Sequence, residues 1–255
     1  MARRIDLNCD MGESFGAYTT GADDKVLPFV TSVNLACGFH GGDPSVMDRS
    51  VAMALRANVS IGAHPSHFDL RGFGRRAIKA DPLEVEADVV YQIGALLAFV
   101  RSHGAKLVHV KPHGALYNQA ARDEGLSRAI ARGVVRVDPR LVFVGLASSA
   151  PMRRAAEAEG LRYAAEAFVD RAYSGDGHLV PRSVAGSVFA DAERAAAQAL
   201  EIARDGRVTA ADGTRIALRA DTLCLHGDNP HSVAIARAVR GALEGAGVQI
   251  APVAD

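Results

Sequence analysis

The segment KLVHVKPHGALYN, residues 106–118, sets His109, Lys111 and His113 at every second position, with Val108, Val110 and Pro112 between them. Side chains of a strand alternate faces with period two, so the three polar groups share one face and the apolar groups the other. Two imidazoles and an ammonium on one face suit proton transfer or the holding of an anion. The same phase recurs elsewhere. IDLNCD (5–10) separates Ile5, Leu7 and Cys9 from Asp6, Asn8 and Asp10, and VSIGAHP (59–65) separates Ile61 and Ala63 from Ser60, Gly62 and His64. RYAAEAFVD (162–170) puts Glu166 and Asp170 in phase, TLCLHGD (222–228) does so for His226 and Asp228, and SVNLACG (32–38) runs out through Gly38 to His40.

One histidine on a strand is more often a hydrogen-bonded core residue than a catalyst, and Asp6 and His109, deeper in their strands, fit that role. The set as a whole does not. Burying so many ionisable groups without a use would cost several kcal/mol of desolvation. Gathering them in one solvent-connected site is how pKa values become tuned for acid–base work. Loops add arginines: RGFGRR (71–76) presents Arg71, Arg75 and Arg76 around two glycines, and Arg171 and Tyr173 follow the sixth strand. Guanidinium binds carboxylate or phosphate in a bidentate manner, so these are candidate anion clamps, with surface arginines as the alternative. His103 and His231 read as capping or surface residues.

The elements that must position these groups are short apolar segments, the six strands already named and LVFVGLAS (141–148), separated by helical patterns. The clearest helix is 83–103, where Leu83, Val89, Val90, Ile93, Leu96, Leu97 and Val100 recur at three- and four-residue steps between Pro82 and Gly104. Further helices are expected at about 45–57, 120–135, 150–159, 187–205 and 231–246. Such alternation is the pattern of a parallel α/β architecture. VTAADGTRIAL (208–218) differs, since two β-prone runs flank an Asp212-Gly213 turn and read as a hairpin insertion. Seven strands, no GxGxxG after the first, and polar groups at nearly every C-terminal strand end favour a (β/α)7 TIM-like barrel over an open sheet. No repeat or linker divides residues 1–255, which read as a single barrel domain.

Composition narrows the function class. With 255 residues, 49% hydrophobic, 23% charged and a formal net charge of zero, the chain gives no reason to expect nucleic acid or an anionic membrane as partner. No apolar run reaches the about 18 residues of a membrane span, and MARRIDLNCD lacks the apolar core of a signal peptide, so a cytoplasmic location is expected. Cys9, Cys37 and Cys224 have no CxxC spacing and read as buried fillers rather than a disulfide or zinc–cysteine framework.

Six segments, DLNCDMGESFG (6–16), NLACGFHGGDP (34–44), GAHPSHFDLRGFGRR (62–76), HVKPHGALYN (109–118), DRAYSGDGHLVPRS (170–183) and LHGDNP (225–230), together resemble the LamB/YcsF family, that of the A subunit of bacterial ATP-dependent 5-oxoprolinase. The resemblance implies a barrel similar to the glycoside hydrolase/deacetylase superfamily, and a part in cleaving 5-oxo-L-proline to L-glutamate with ATP hydrolysis, alongside subunits B and C. Carried over by motif, the implied catalytic residues are Asp10, His40, His64, Lys111, His113, Glu166, His226 and Asp228, the set that strand alternation also selects. Asn8, Arg71, Arg75 and Arg171 are the expected substrate-binding residues. Ser66-His67 and His178 depart from the family pattern, so neither histidine inherits a role.

A lactam is an unactivated amide, and phosphorylating its oxygen would create a leaving group and an electrophilic carbon. The chain has no GxxxxGK[ST] loop, which agrees with ATP entering at the level of a complex. On this reading Lys111 and an arginine hold carboxylate or phosphate. One of Asp10, His64 or His113 activates water, and His226 with Asp228 orients or protonates the leaving nitrogen. A rival mechanism places a divalent metal on Asp10, His40 and His64, making the chain a stand-alone amidohydrolase or deacetylase. The 5% aromatic content without tryptophan counts mildly against a sugar groove. A third reading is a non-catalytic subunit that binds 5-oxoproline and presents it to a partner. No dimerisation stripe stands apart from the helix faces, and a homo-oligomer stays open.

Overall fold

Seven apolar runs become seven parallel strands in the computed structural model, which describes residues 4–253. Met1–Arg3, expected to begin a chain without a leader, lie outside the described residues. The strands are β1 (Arg4–Met11), β2 (Ser32–Ala36), β3 (Ser60–His64), β4 (Leu107–Val110), β5 (Val142–Leu146), β6 (Tyr163–Phe168) and, after a hairpin of β7 (Arg207–Thr209) and β8 (Arg215–Ala217), β9 (Thr222–His226). Each of β1 to β6 pairs with the next, and β9 pairs with both β6 and β1, so the sheet closes into a barrel. A short β10 (Gln249–Ile250) adds beside the start of β1. The expected hairpin is present, with Val208 opposite Ile216 in antiparallel register.

Helices wrap the outside: α1 (Asp23–Val26), α2 (Pro44–Arg56), α3 (Pro82–Ser102), α4 (Gly114–Ala120), α5 (Glu124–Val137), α6 (Ala150–Ala158), α7 (Ala192–Leu200) and α8 (Ser232–Gly245). Their starts are chemically marked. Asp43 and Asp81 accept backbone N–H groups at the head of α2 and α3, each followed by a proline at the first helical position. The helix expected at 120–135 is two helices, because Asp123 caps a fresh start by accepting the Leu126 N–H. The one expected at 187–205 begins only at Ala192, after the Asp191 cap, and closes in a π-helical turn over Glu201–Asp205.

Two environments result. The outward strand residues Ile5, Leu7, Val33, Leu35, Ile61 and Val110 join Val85, Val89, Ile93 and Leu96 of α3 in a continuous apolar shell between sheet and helices. The barrel axis carries buried Asp6, Asn8, Asp10, Asn34, His64, His109 and Glu166 instead of the branched aliphatic layers usual in such barrels. Strand alternation was therefore the right guide.

Register explains one glycine. Across the sheet Asn34 lies opposite Gly62, and Gly62 opposite His109. The His109 ring crosses over Gly62 to reach the Asn34 side chain, Nε2 to Oδ1, at 2.8 Å. A Cβ on Gly62 would sit 2.1 Å from His109 Nε2. Gly62→Ala is expected to cost about 1–3 kcal/mol by overpacking, measured by urea unfolding. A loss below about 0.5 kcal/mol would show that the ring moves aside freely.

Candidate active site

Past the end of β4 the chain stays extended, since the Lys111 N–H donates to Ala63 O at 2.9 Å and the His113 N–H to Pro65 O at 2.8 Å. Alternation thus holds through His113. Lys111 Nζ lies 2.8 Å from Asp10 Oδ1, 2.9 Å from Glu166 Oε1 and 3.0 Å from Cys224 Sγ, with its side chain 2% exposed. Burial works against its charge, but Asp10, the Cys224 sulfur and Glu166 hold it well above the usual lysine range. Burial likewise opposes the Asp10 carboxylate, and His64 and Lys111 bring it well below the ordinary range.

The amides below this pair lock it in place. Asn34 Nδ2 donates to Asp10 Oδ1 at 2.9 Å and to Asn8 Oδ1 at 2.8 Å, while Asn8 Nδ2 donates to Glu166 Oε1 at 3.1 Å and Thr222 Oγ1 at 2.6 Å. Asn8, an expected substrate-binding residue, has both ends of its amide committed to this network and does not line the cavity. At the floor, Asp6 accepts hydroxyls from Thr31, Ser32 and Thr222. Burial raises its pKa despite them.

Toward the mouth, hydrogen bonding assigns the histidine tautomers. His64 Nδ1–H donates to Lys111 O at 2.7 Å, turning Nε2 into the site, and His113 Nε2–H donates to Phe73 O at 2.9 Å, leaving a lone pair on Nδ1. Those two nitrogens face each other at 3.0 Å, with Asp10 Oδ2 3.3 Å from His64 Nε2. Two ring nitrogens facing each other beside a carboxylate call for a proton or a cation between them. Glu13 Oε1 lies 3.2 Å from His40 Nε2 and 3.4 Å from His113 Nδ1, and the His40 ring stacks on His113 at 3.8 Å. One ligand atom from each of Glu13, His40, His64 and His113 falls within 4.8 Å of the others.

Burial, joined by cationic neighbours, pushes His40 and His113 well below the ordinary imidazole range, so both are neutral at pH 7. His64 and His113 are aimed by backbone carbonyls, as ligands of a zinc-like ion are, whereas His40 is held by Glu13 and its ring stacking. The residues fit such an ion, with one correction to the expected set of Asp10, His40 and His64. Glu13 and His113 join the two histidines, and Asp10 is engaged by Lys111. Glu13 escaped the alternation rule because Gly12, at φ +70°, breaks the strand and swings the next residue inward. Burial and Asp10 push its carboxyl up to about 7.

A cavity of about 560 Å³ opens above these groups, lined within by Asp10, His64, Lys111, His113 and His226 and toward the rim by Arg75, Arg171 and Arg182. His226 Nδ1 lies 2.8 Å from Asp170 Oδ1, so Asp170 orients this ring. Asp228, expected to act with His226 on the leaving nitrogen, bonds Arg75 at 2.7 Å. His40, Glu166 and Asp228 do not line the cavity. Arg71, also expected to bind substrate, is exposed and absent from the lining, because Asp69 caps the turn at Leu70–Gly72 and the left-handed Phe73 and Gly74 turn Arg75 inward. Tyr173 is wholly buried, its hydroxyl accepting the Phe168 N–H. Sequence reasoning also missed Tyr117, which lines the cavity with its hydroxyl buried and turned toward Glu166. The helical ALYN context gave no period-two signal for it. The three cysteines are buried and unpaired.

Residues 5–255 match the family model of LamB/YcsF. The 5-oxoprolinase A subunit of Heliobacterium modesticaldum is 55% identical over 247 residues, covering 97% of each chain. That of Bordetella pertussis is 56% identical over 246 residues, 96% of this chain and 97% of its own. The crystal structure of a lactam utilization protein from Thermus thermophilus superposes with a TM-score of 0.91 at 50% identity, covering 97% of this chain and 99% of that one.

Lys111→Met removes the cation from two buried carboxylates and is expected to destabilise the fold by about 3–5 kcal/mol. Adding Asp10→Asn should recover part of that loss, because one uncompensated charge disappears with it. Additive losses in a double-mutant cycle of urea unfolding would contradict the pairing.

Proposed function

The chain belongs to the LamB/YcsF family, and from that premise we propose that it is the ring-opening subunit of an ATP-dependent 5-oxoprolinase, converting 5-oxo-L-proline to L-glutamate in the cytoplasm with partner subunits B and C. The observation that carries the reading is a single cavity in which Lys111, His64, His113 and His226 converge with Asp10 beneath a rim of arginines. A small anionic lactam needs both halves.

Roles follow from the hydrogen bonds. Asp10 Oδ1 is bound to Lys111 and Asn34, which leaves Oδ2 and the adjacent His64 Nε2 to take a proton from water. His226, held by Asp170, delivers a proton to the leaving ring nitrogen. Lys111 faces the developing negative charge on the amide oxygen while anchoring Asp10. Arg75, at the rim, receives the substrate's carboxylate. His40, Glu166 and Asp228 act by positioning, through Glu13, Lys111 and Arg75 in turn. ATP would be handled by the partner subunits, in keeping with the missing P-loop sequence.

The four-donor cluster supports a second reading, a metal-dependent amidohydrolase acting alone. Glu13, His40, His64 and His113 would hold the ion, which when bound would supply Lewis-acid activation of water. The two readings part on one assay: glutamate release from 5-oxoproline and ATP by the chain, alone and with subunits B and C, with and without chelator. We expect release only with the partners. Amide hydrolysis by the chain alone, abolished by chelator and restored by zinc, would overturn the three-subunit reading.

Asp10→Asn should lower turnover of the complex by about 100-fold or more while 5-oxoproline affinity stays within about threefold. Lost affinity with turnover reduced only in proportion would instead mark a non-catalytic carrier.

A further inference from the structure

Most carboxylates around the cavity are bonded to a base. Asp10 and Glu166 share Lys111, Asp170 is bonded to His226, Asp228 to Arg75, and at the rim Asp176 to Arg122 at 3.0 Å. Two guanidiniums remain without a bonded carboxylate, Arg171 and Arg182, and both line the cavity. They belong to one stretch, residues 170–189, folded back over the mouth and pinned by bridges pairing Arg171 with Val188 and Tyr173 with Leu179.

Arg171 is 4% exposed and fixed by two backbone carbonyls, Nε–H donating to Ser187 O at 3.2 Å and Nη2–H to Val180 O at 2.6 Å. Carbonyls hold the fork in place without neutralising it, and three of its five N–H bonds stay available. Arg182 sits in the turn closed by the Val184 N–H on Pro181 O and has no hydrogen-bond or ion-pair partner among the described residues. Burial, together with Arg182, pushes Arg171 down to about 10, and the Asp170 carboxylate offsets part of that. Asp170 and Asp228 feel Arg182 without bonding it, so both guanidiniums still face the cavity with donors to offer an anion.

We propose that Arg171 and Arg182 form a subsite for a phosphoryl dianion at the outer end of the cavity. A monocarboxylate would satisfy one guanidinium, whereas a phosphoryl group offers charge for both and three acceptor oxygens. The cavity is larger than a single small ring requires, and its inner end is occupied by the acid–base groups, so ring and phosphoryl group fit end to end. The identity of the phosphoryl bearer as a lactam activated on its amide oxygen rests on the function proposed above. The subsite itself does not.

Calorimetric titration of the purified chain with inorganic phosphate and, separately, acetate tests the subsite. Phosphate should bind, and Arg182→Gln should weaken it by about tenfold or more, with Arg182→Lys recovering part and acetate affected less. Absence of phosphate binding, or equal binding by Arg182→Gln, overturns the proposal. In the assembled complex, Arg182→Gln should lower glutamate release per ATP hydrolysed if the group rides on the lactam; unchanged coupling, with phosphate binding weakened, assigns the subsite to free phosphate. A wild-type complex that releases no glutamate while the chain still binds phosphate through Arg182 would sink the lactamase reading and leave the subsite standing.

Discussion

One buried ammonium holds the interior of this barrel together. Lys111, buried at the inner end of the cavity, is shared by Asp10 and Glu166 at hydrogen-bond distance. Without it, two carboxylates would sit uncompensated in a low dielectric, and the cheapest remedy would be for both to take up protons. With it, Asp10 stays ionised at neutral pH, and an ionised carboxylate beside His64 is what base chemistry at the mouth requires. Structure and chemistry thus share a charge pair, and the amides of Asn8 and Asn34, set in turn by Thr222 and His109, keep its geometry. The polar axis runs unbroken from Asp6 at the floor to the histidines at the rim.

Much of this was legible in the sequence because β-strands impose a period of two. His109, Lys111 and His113 alternate with apolar residues, and each does lie inside the barrel; the pattern even survives past the end of β4 because backbone pairing with Ala63 and Pro65 continues there. The rule fails where the backbone leaves the strand. Gly12 and the Phe73–Gly74 pair adopt left-handed conformations, so Glu13 and Arg75 turn inward where parity says nothing. Partner choice was illegible too. Asp170 rather than Asp228 takes His226, since that pairing depends on how β6 and β9 meet across the closure of the barrel. Arg182 lay within a quoted motif, but only the folding of residues 170–189 over the mouth brings it to the cavity.

The cavity has two chemical ends. Its inner end gathers groups that exchange protons, with the His64 and His113 tautomers fixed by carbonyls and His226 fixed by a carboxylate. Its outer end gathers guanidiniums, which hold charge and do not titrate near neutrality. A substrate that is anionic at one end and an amide at the other matches that polarity. The cluster of Glu13, His40, His64 and His113 borders the inner end, where either a shared proton or a metal ion satisfies the facing nitrogens.

The charge state of Lys111 carries the whole account, and NMR titration of its ¹⁵N-labelled side chain reads it directly. The account predicts an ammonium resonance that persists from neutral pH to about pH 10 and beyond, held by Asp10 and Glu166. A neutral amine at pH 7, with the proton moved to either carboxyl group, would contradict it and leave Asp10 without the charge on which the proposed base chemistry depends.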